Sequence, residues 1–325
     1  MQRFKRILAV VEMRQSSSLA LVRAVNLAQN NQASLVVVCV VPKMTAGIGM
    51  PEGGPISSDL QKYVVNGAKK ELAATIKPFE SQVDIQAVVL VGSPFLEIIK
   101  EVLRNDHDLV IKSPENIGWL DRVFGSDDMH LLRKCPCPVW LVKQSNSNTY
   151  RRILAAIDVD TDYPPDEVTK RHKLNVQILE MSASQALSDF AELHVVHAWQ
   201  AIGEGAIRNE FISTSDANAD EYVENVRSLH KQELDKLINE VIDKKNAEAN
   251  KYLYPQKHLI KGLPQKEIPL LANELGVDLI VMGTVARTGI PGFFIGNTAE
   301  TILSQIKCSV LAVKPADFET PVKLN

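Results

Sequence analysis

This chain states one plan twice, and the repeat limits its fold more than any single motif does. Arg6-Ile7-Leu8-Ala9-Val10-Val11-Glu12 returns as Arg152-Ile153-Leu154-Ala155-Ala156-Ile157-Asp158. Gly92-Ser93-Pro94, followed by Ile98, returns as Gly262-Leu263-Pro264, followed by Ile268. Asp108-Leu109-Val110-Ile111 returns as Asp278-Leu279-Ile280-Val281, and Cys137-Pro138-Val139-Trp140-Leu141-Val142-Lys143 as Cys308-Ser309-Val310-Leu311-Ala312-Val313-Lys314. Four blocks in one order, so widely separated, make each copy a whole domain rather than a turn of a solenoid. A chain of 325 residues has room for two domains of ~150 each. The apolar-free stretch Gln144-Ser145-Asn146-Ser147-Asn148-Thr149 reads as their linker. The first domain is expected over 1–146, the second over 151–315, with a tail over 316–325.

Hydrophobic residues make up 45% and charged residues 23% of the chain, which is ordinary for a water-soluble globular protein. The net charge of −3 comes without a basic stripe, which argues against nucleic acid as the main partner. No apolar run approaches the ~18 residues of a membrane span. Behind the basic start Met1-Gln2-Arg3-Phe4-Lys5-Arg6, the run Ile7–Val11 is too short for a signal sequence and reads as a first strand. The four cysteines, Cys39, Cys135, Cys137 and Cys308, read as reduced core residues of a cytoplasmic protein. Cys135-Pro136-Cys137 lacks the two-residue gap and the second ligand pair of a zinc site.

Both halves alternate strand and helix, which predicts a parallel sheet covered by helices on both faces. The first half reads as strands 7–11, 35–41, 87–91, 109–111 and 139–142. Helices are expected from Leu19, with an N-cap among Ser16–Ser18, and over 57–76, 95–104 and 127–133. The Gly/Pro-rich residues 42–56 read as a mobile loop. In the second half, Asp158–Arg171 reads as a longer acidic loop. A long amphipathic helix is expected over about 219–245, with Tyr222, Val226, Leu229, Leu234, Leu237, Ile238 and Val241 as its apolar stripe. Ligands of such sheets bind beyond the carboxyl ends of the strands, where the strand order switches.

In that place the second copy carries a glycine-rich loop, from Gly283 to Thr298, with a helical pattern starting at once in Ala299, Ile302, Leu303 and Ile306. Gly283 is suited to close approach of a ligand to the backbone. Gly296 opens the helix, and Asn297 is a good N-cap. The free N–H groups there, with the Thr298 hydroxyl, make an anion site. A loop kept glycine-rich only for its turns and cap is the competing reading.

The spacing resembles the universal stress protein family, whose nucleotide-binding members carry G-x2-G-x9-G-[ST] after the fourth strand, in a loop that cradles phosphates. Gly283, Ala286, Gly296 and Asn297 fall on those four positions. Asp158 is similar to the acidic strand end beside the nucleoside, His197-Ala198 to the His-Val that flanks the base, and Cys137-Pro138-Val139 to the Cys-Pro-Val before the last strand. The resemblance covers nearly the whole chain, twice, and implies two tandem five-stranded α/β domains. It makes Asp158, Ala198, Met282, Gly283, Ala286, Arg287, Gly296, Asn297 and Thr298 the candidate ligand site, with ATP and Mg²⁺ as the implied cofactors. Two positions depart from the pattern. Ala286 replaces a glycine, adding a methyl group, and Asn297 replaces Ser/Thr. Pro291, Phe293 and Phe294 make the loop unusually apolar. In the first copy Ser113, Asn116, Gly125 and Ser126 occupy the comparable positions, and that half is expected to bind no nucleotide. Family members pair their last strands on dimerising, so this chain is expected to set 139–142 against 310–313 internally, with a homodimer left open.

Other chemistries find less support. The run from Asp158 to Asp162 lacks the glycine and glutamate of an EF-hand, having Tyr163 and Thr169 there. His194 and His197 point to opposite faces of a strand and cannot share a metal. No Gly-Lys dipeptide exists for a P-loop, and no nucleophile elbow appears. The leading expectation is a cytoplasmic stress-response binding protein without strong catalysis, taking a nucleotide or another small metabolite in its second domain. An apolar or acylated ligand, a weak ATPase and a ligand-free interaction scaffold stand as alternatives.

Overall fold

The computed structural model describes residues 4–13, 19–44, 55–115, 124–145, 147–208, 216–244, 252–284 and 296–324. The first half runs β1 (Arg6–Val10), α1 (Leu19–Asn31), β2 (Ser34–Val41), α2 (Pro55–Ile76), β3 (Ile85–Val91), α3 (Pro94–Asn105), β4 (Leu109–Lys112), α4 (Ser126–Lys134) and β5 (Val139–Leu141). The second runs β6 (Arg152–Ala156), α5 (Pro165–Asp189), β7 (Glu192–Trp199), α6 (Glu204–Arg208), α7 (Asp216–Ile238), β8 (Gln256–Lys261), α8 (Pro264–Glu274), β9 (Leu279–Gly283), α9 (Asn297–Leu303) and β10 (Ser309–Val313). The central strands β1, β2, β4, β6, β7 and β9 are Val/Ile/Leu/Ala-rich runs buried almost throughout, as parallel strands covered on both faces must be.

All ten strands lie in one sheet in the order β3-β2-β1-β4-β5-β10-β9-β6-β7-β8. Within each half the strands are parallel, and the halves meet where β5 pairs antiparallel with β10. Val139, Trp140 and Leu141 stand opposite Ala312, Leu311 and Val310, the internal pairing expected of the last strands. One apolar cluster on one face of the sheet draws on both halves, from Ile7 and Val37 through Trp140 to Leu179 and Val313. Arg23 of α1 reaches across to Asp189 at the end of α5 (3.1 Å) and lies over the Tyr150 ring at 3.5 Å.

The repeated motifs have repeated jobs. The Asp108 carboxylate accepts the N–H groups of Lys5 (2.7 Å) and Arg6 (3.0 Å), where β1 begins. Asp278 does the same for Arg151 and Arg152 at the start of β6 (2.7 and 3.0 Å). Gly92 and Gly262 adopt φ of 147° and 154°, and a Cβ on them would lie 2.8 and 2.6 Å from Cγ of Glu97 and Glu267. Pro94 and Pro264 then start α3 and α8 with the φ a first helical residue needs.

Three expectations are corrected. The acidic loop after β6 is shorter, because α5 already begins at Pro165. Pro165 at the first helical position, followed by Asp166 and Glu167 in the first turn, favours a helix start there. The long helix begins at Asp216 and gives way at Asn239–Lys244 to a wider π turn. Leu234, Leu237, Ile238 and Val241 of its stripe are buried, but Leu229 faces solvent. The short α6 was not foreseen. The expected cap Ser16–Ser18 and most of the Gly/Pro-rich segment lie outside the described residues.

Candidate functional site

A cavity of about 340 Å³ opens at the carboxyl ends of β6, β7 and β9. It straddles the point between β6 and β9 where the strand order reverses, the place where open α/β sheets take ligands. Asp158, Ala198, Met282, Gly283, Gly296 and Thr298 all line it. Leu174, Ile178, Ile268, Met282 and Ile302 give it apolar lining. Lys170 and Arg171 bring positive charge to its wall, beside the carboxylates of Asp158, Asp160 and Glu167.

Asp158 is held from two sides. Its backbone N–H donates to Asn175 Oδ1 (3.1 Å), and Asn175 Nδ2 donates back to its carbonyl (2.6 Å). This amide bracket fixes the turn out of β6 on α5. The carboxylate accepts Arg171 Nη1 at 2.5 Å, Tyr163 Oη at 3.4 Å and the Asp160 N–H at 3.2 Å. Arg171 also lies over the Tyr163 ring at 3.7 Å and bonds Glu167. Burial, then the Asp158 charge, pushes the Tyr163 phenol up to about 12, so it stays a donor. Two oxygens with about four lone-pair sites leave room for one more donor on Asp158.

His197 forms part of the floor. Its Nδ1 faces the Ile157 carbonyl at 3.4 Å and its Nε2 faces His230 Nδ1 of α7 at 3.0 Å. A carbonyl only accepts, so Nδ1 carries the proton and Nε2 accepts from His230. Burial lowers the His197 pKa, opposed by the Asp158 charge and reinforced by His230. His194, on the other face of β7, pairs instead with His258 of β8 at 3.0 Å. Among the described residues, no group of three or more His, Cys, Asp or Glu is placed to hold a metal ion.

Two sequence expectations change here. Gly283 was expected to admit a ligand to its backbone, but a Cβ there would lie 2.8 Å from Leu174 Cδ2. The missing side chain makes room for Leu174. Asn297 is the first helical residue rather than the cap. Gly296 is the cap, in extended conformation, pinned by its N–H on the Thr284 carbonyl (3.0 Å). Ala286 and Arg287 lie outside the described residues.

The matching region of the first domain was only half legible. There a cavity of about 560 Å³ is bordered by Glu12, Glu71, Glu115 and Asp127 among apolar side chains. At the loop end, Asp128 fills the role an anion would have. Its carboxylate accepts the N–H of Glu115 (2.8 Å) and Gly125 (3.2 Å) and pairs with the buried Lys112. Burial raises the pKa of Glu12 and Glu115. Asp128 stands in the first turn of α4, where an acid alone signals nothing about a site. The signal was Lys112, a lysine ending an otherwise apolar strand.

The universal stress protein family model matches residues 3–143 and again 149–314. The chain belongs to that family. It is 30% identical to universal stress protein E of Photorhabdus laumondii over 335 aligned positions, covering 99% of both chains. It is 34% identical to universal stress protein E of Escherichia coli K12, over 73% of this chain and 70% of that one. A functionally unknown protein of Pseudomonas aeruginosa PAO1 superposes with a TM-score of 0.64 at 27% identity, over 97% of this chain and 94% of that one. A universal stress protein of Archaeoglobus fulgidus shares the fold, with a TM-score of 0.61 at 17% identity over 95% and 98% of the two chains. No helix among the described residues is long and apolar enough to cross a membrane.

Proposed function

We propose that this universal stress protein is a cytoplasmic binding protein of the stress response, and that its second domain holds a small ligand, a nucleotide such as ATP. The observation that carries the reading is the contrast between the two switch points. In the second domain, Asp158, Ala198, Gly296 and Thr298 surround open space. The first also has a cavity, but at its loop end the protein's own Asp128 carboxylate accepts the N–H groups of Glu115 and Gly125 and so puts a negative charge where a phosphate would lie. The base would lie over Ala198 and the apolar lining residues, and a ribose hydroxyl would donate to the remaining lone pair of Asp158. The phosphates would run toward Thr298, with Lys170 and Arg171 nearby and Mg²⁺ as their counterion. The four free, buried thiols suit a reducing compartment.

The apolar lining from Leu174, Ile178, Ile268, Met282 and Ile302 favours one second reading, an apolar or acylated ligand in the same cavity. Native mass spectrometry of the purified chain, with extraction and identification of whatever accompanies it, separates the two. A nucleotide, or ATP–Mg²⁺ raising Tm through the ~2.7 kcal/mol of added stability expected at a hundred-fold excess over Kd, supports the first. An acylated molecule supports the second, and a bare chain indifferent to ATP leaves an interaction scaffold. Ala286→Gly should preserve or tighten nucleotide binding and change nothing but stability in a scaffold.

A further inference from the structure

The first-domain cavity, about 560 Å³, lies at the carboxyl ends of β1, β2 and β4, where the strand order reverses between β1 and β4. Its volume is that of a small-molecule site, and its place is one where such sheets take ligands. Val11, Val41, Val64, Ala68, Ile98 and Leu131 give it apolar lining. Four carboxylates reach it from separate parts of the chain. Glu12 follows β1, Glu71 belongs to α2, Glu115 follows β4 and Asp127 stands in the first turn of α4. Among the described lining residues Lys112 is the only base, and its Nζ is engaged by the fully buried Asp128. Burial is the first cause that raises the pKa of Glu12 and Glu115; Asp128 adds to it and Lys112 opposes it. A further cation in this cavity would favour both carboxylates in their charged form. Among the described residues the acids do not converge closely enough to hold a bare metal ion. That leaves a cation with a body of its own.

A second observation comes from α2. Gly67 lies inside that helix and lines the cavity. Glycine weakens a helix interior relative to alanine. A Cβ on Gly67 would meet no atom within 4 Å, so packing does not require the glycine. What the missing side chain keeps open is access to the helix backbone from the cavity, which is where glycine serves the close approach of a ligand.

We propose that the first domain binds an organic amine in this cavity, its ammonium group held among the carboxylates of Glu12, Glu71 and Glu115 and its apolar body lying along α2 over Gly67. The two domains then take ligands of different charge at equivalent switch points. In the first, Asp128 already accepts the N–H groups of Glu115 and Gly125, so the start of α4 repels an anion. An alkylammonium ion stays charged at neutral pH, as a lysine does. Its charge compensates the carboxylates, and its hydrocarbon leaves water against Val64, Ala68 and Ile98.

Isothermal titration calorimetry of the full chain with octylamine tests this, with octanoate as the same hydrocarbon bearing the opposite charge. Octylamine should bind, more weakly as salt is added, and octanoate should not compete for its site. Glu71→Gln should weaken octylamine about ten-fold, the worth of one hydrogen bond to a charged group. Gly67→Leu places a side chain in space that the protein leaves open. It should keep Tm at or above that of the parent chain, because leucine is the better helix former, and lose the amine. A merely structural glycine would give the first result without the second. Octylamine giving no heat at millimolar concentration would overturn the proposal, and so would octanoate displacing it. Octylamine affinity unchanged in both variants would place the amine elsewhere and overturn it equally. The comparison of octylamine with octanoate uses the parent chain and depends on no variant folding.

Discussion

Gly283 and Leu174 compete for one volume at the mouth of β9. A methyl group on Gly283 meets Leu174 Cδ2 at 2.8 Å, on a helix that also holds Asn175 against Asp158. Gly283→Ala should therefore cost about 1–3 kcal/mol by overpacking. Leu174→Ala alone also destabilises, but the pair should be less damaging than the sum, by at least ~0.5 kcal/mol in a double-mutant cycle read by urea unfolding. Additive losses would mean that Leu174 is not what the glycine accommodates. His197 sets a pH dependence at the same scale. Burial depresses its folded pKa, as it does for His107 and His258. The unfolded chain then binds more protons than the folded one below the ordinary histidine value of about 6.5. The stability contributed by these neutral imidazoles is intact above that value and is lost as pH falls through it toward the folded values. Tm should drop between pH 7 and pH 5. His197→Asn, which can still reach the Ile157 carbonyl, should flatten that slope; an unchanged slope would place the titration elsewhere.

At the scale of elements, the strands and helices were legible because the pattern appears twice and each copy corrects the other. Asp108 and Asp278 hold matching strand starts, and Gly92 and Gly262 make matching turns into α3 and α8. Asp278→Ala and Asp108→Ala should each cost about 1 kcal/mol, since each removes a carboxylate that accepts two exposed N–H groups, which water can then take up. Near-equal losses by chemical denaturation are expected; a loss confined to one half would deny the structural equivalence of the motif. What stayed hidden has a physical reason in each case. The start of α5 was masked by the acids on either side of Pro164-Pro165, which read equally as a solvated loop. The pairs His197–His230, His194–His258 and Lys112–Asp128 join residues far apart in sequence, so no local spacing announces them. The candidate site was legible at Asp158, Ala198, Met282, Gly283, Gly296 and Thr298, which the cavity brings together. The helix cap, read at Asn297 from cap preference, lies one residue earlier, at Gly296.

The whole molecule is one sheet, and that decides how its halves can behave. β5 is three residues long and β10 five, and each would be an open edge without the other. An unpaired edge carrying Val310, Leu311 and Ala312 invites another chain. Residues 149–325 produced alone should therefore associate through β10 and scatter light as a dimer or larger. A monomer with the Tm of the full chain would show that the seam contributes nothing. The seam also carries a buried ion pair, Arg23 with Asp189, whose side chains are 5% and 8% exposed. Such a pair adds little net stability when complete, but removing one partner strands a buried charge at a cost of about 3–5 kcal/mol. Arg23→Met should impose a loss of that order on the full chain. Because Arg23 belongs to α1 and Asp189 to α5, both halves should be destabilised together, in a single urea transition shifted to lower concentration. Two separated transitions, with only the first half affected, would mean that the shared core does not couple the domains. The cavity of the second domain is built on α5, the helix that Asp189 ends and Asn175 anchors. The same substitution thus tests whether the first domain serves to hold that helix in place.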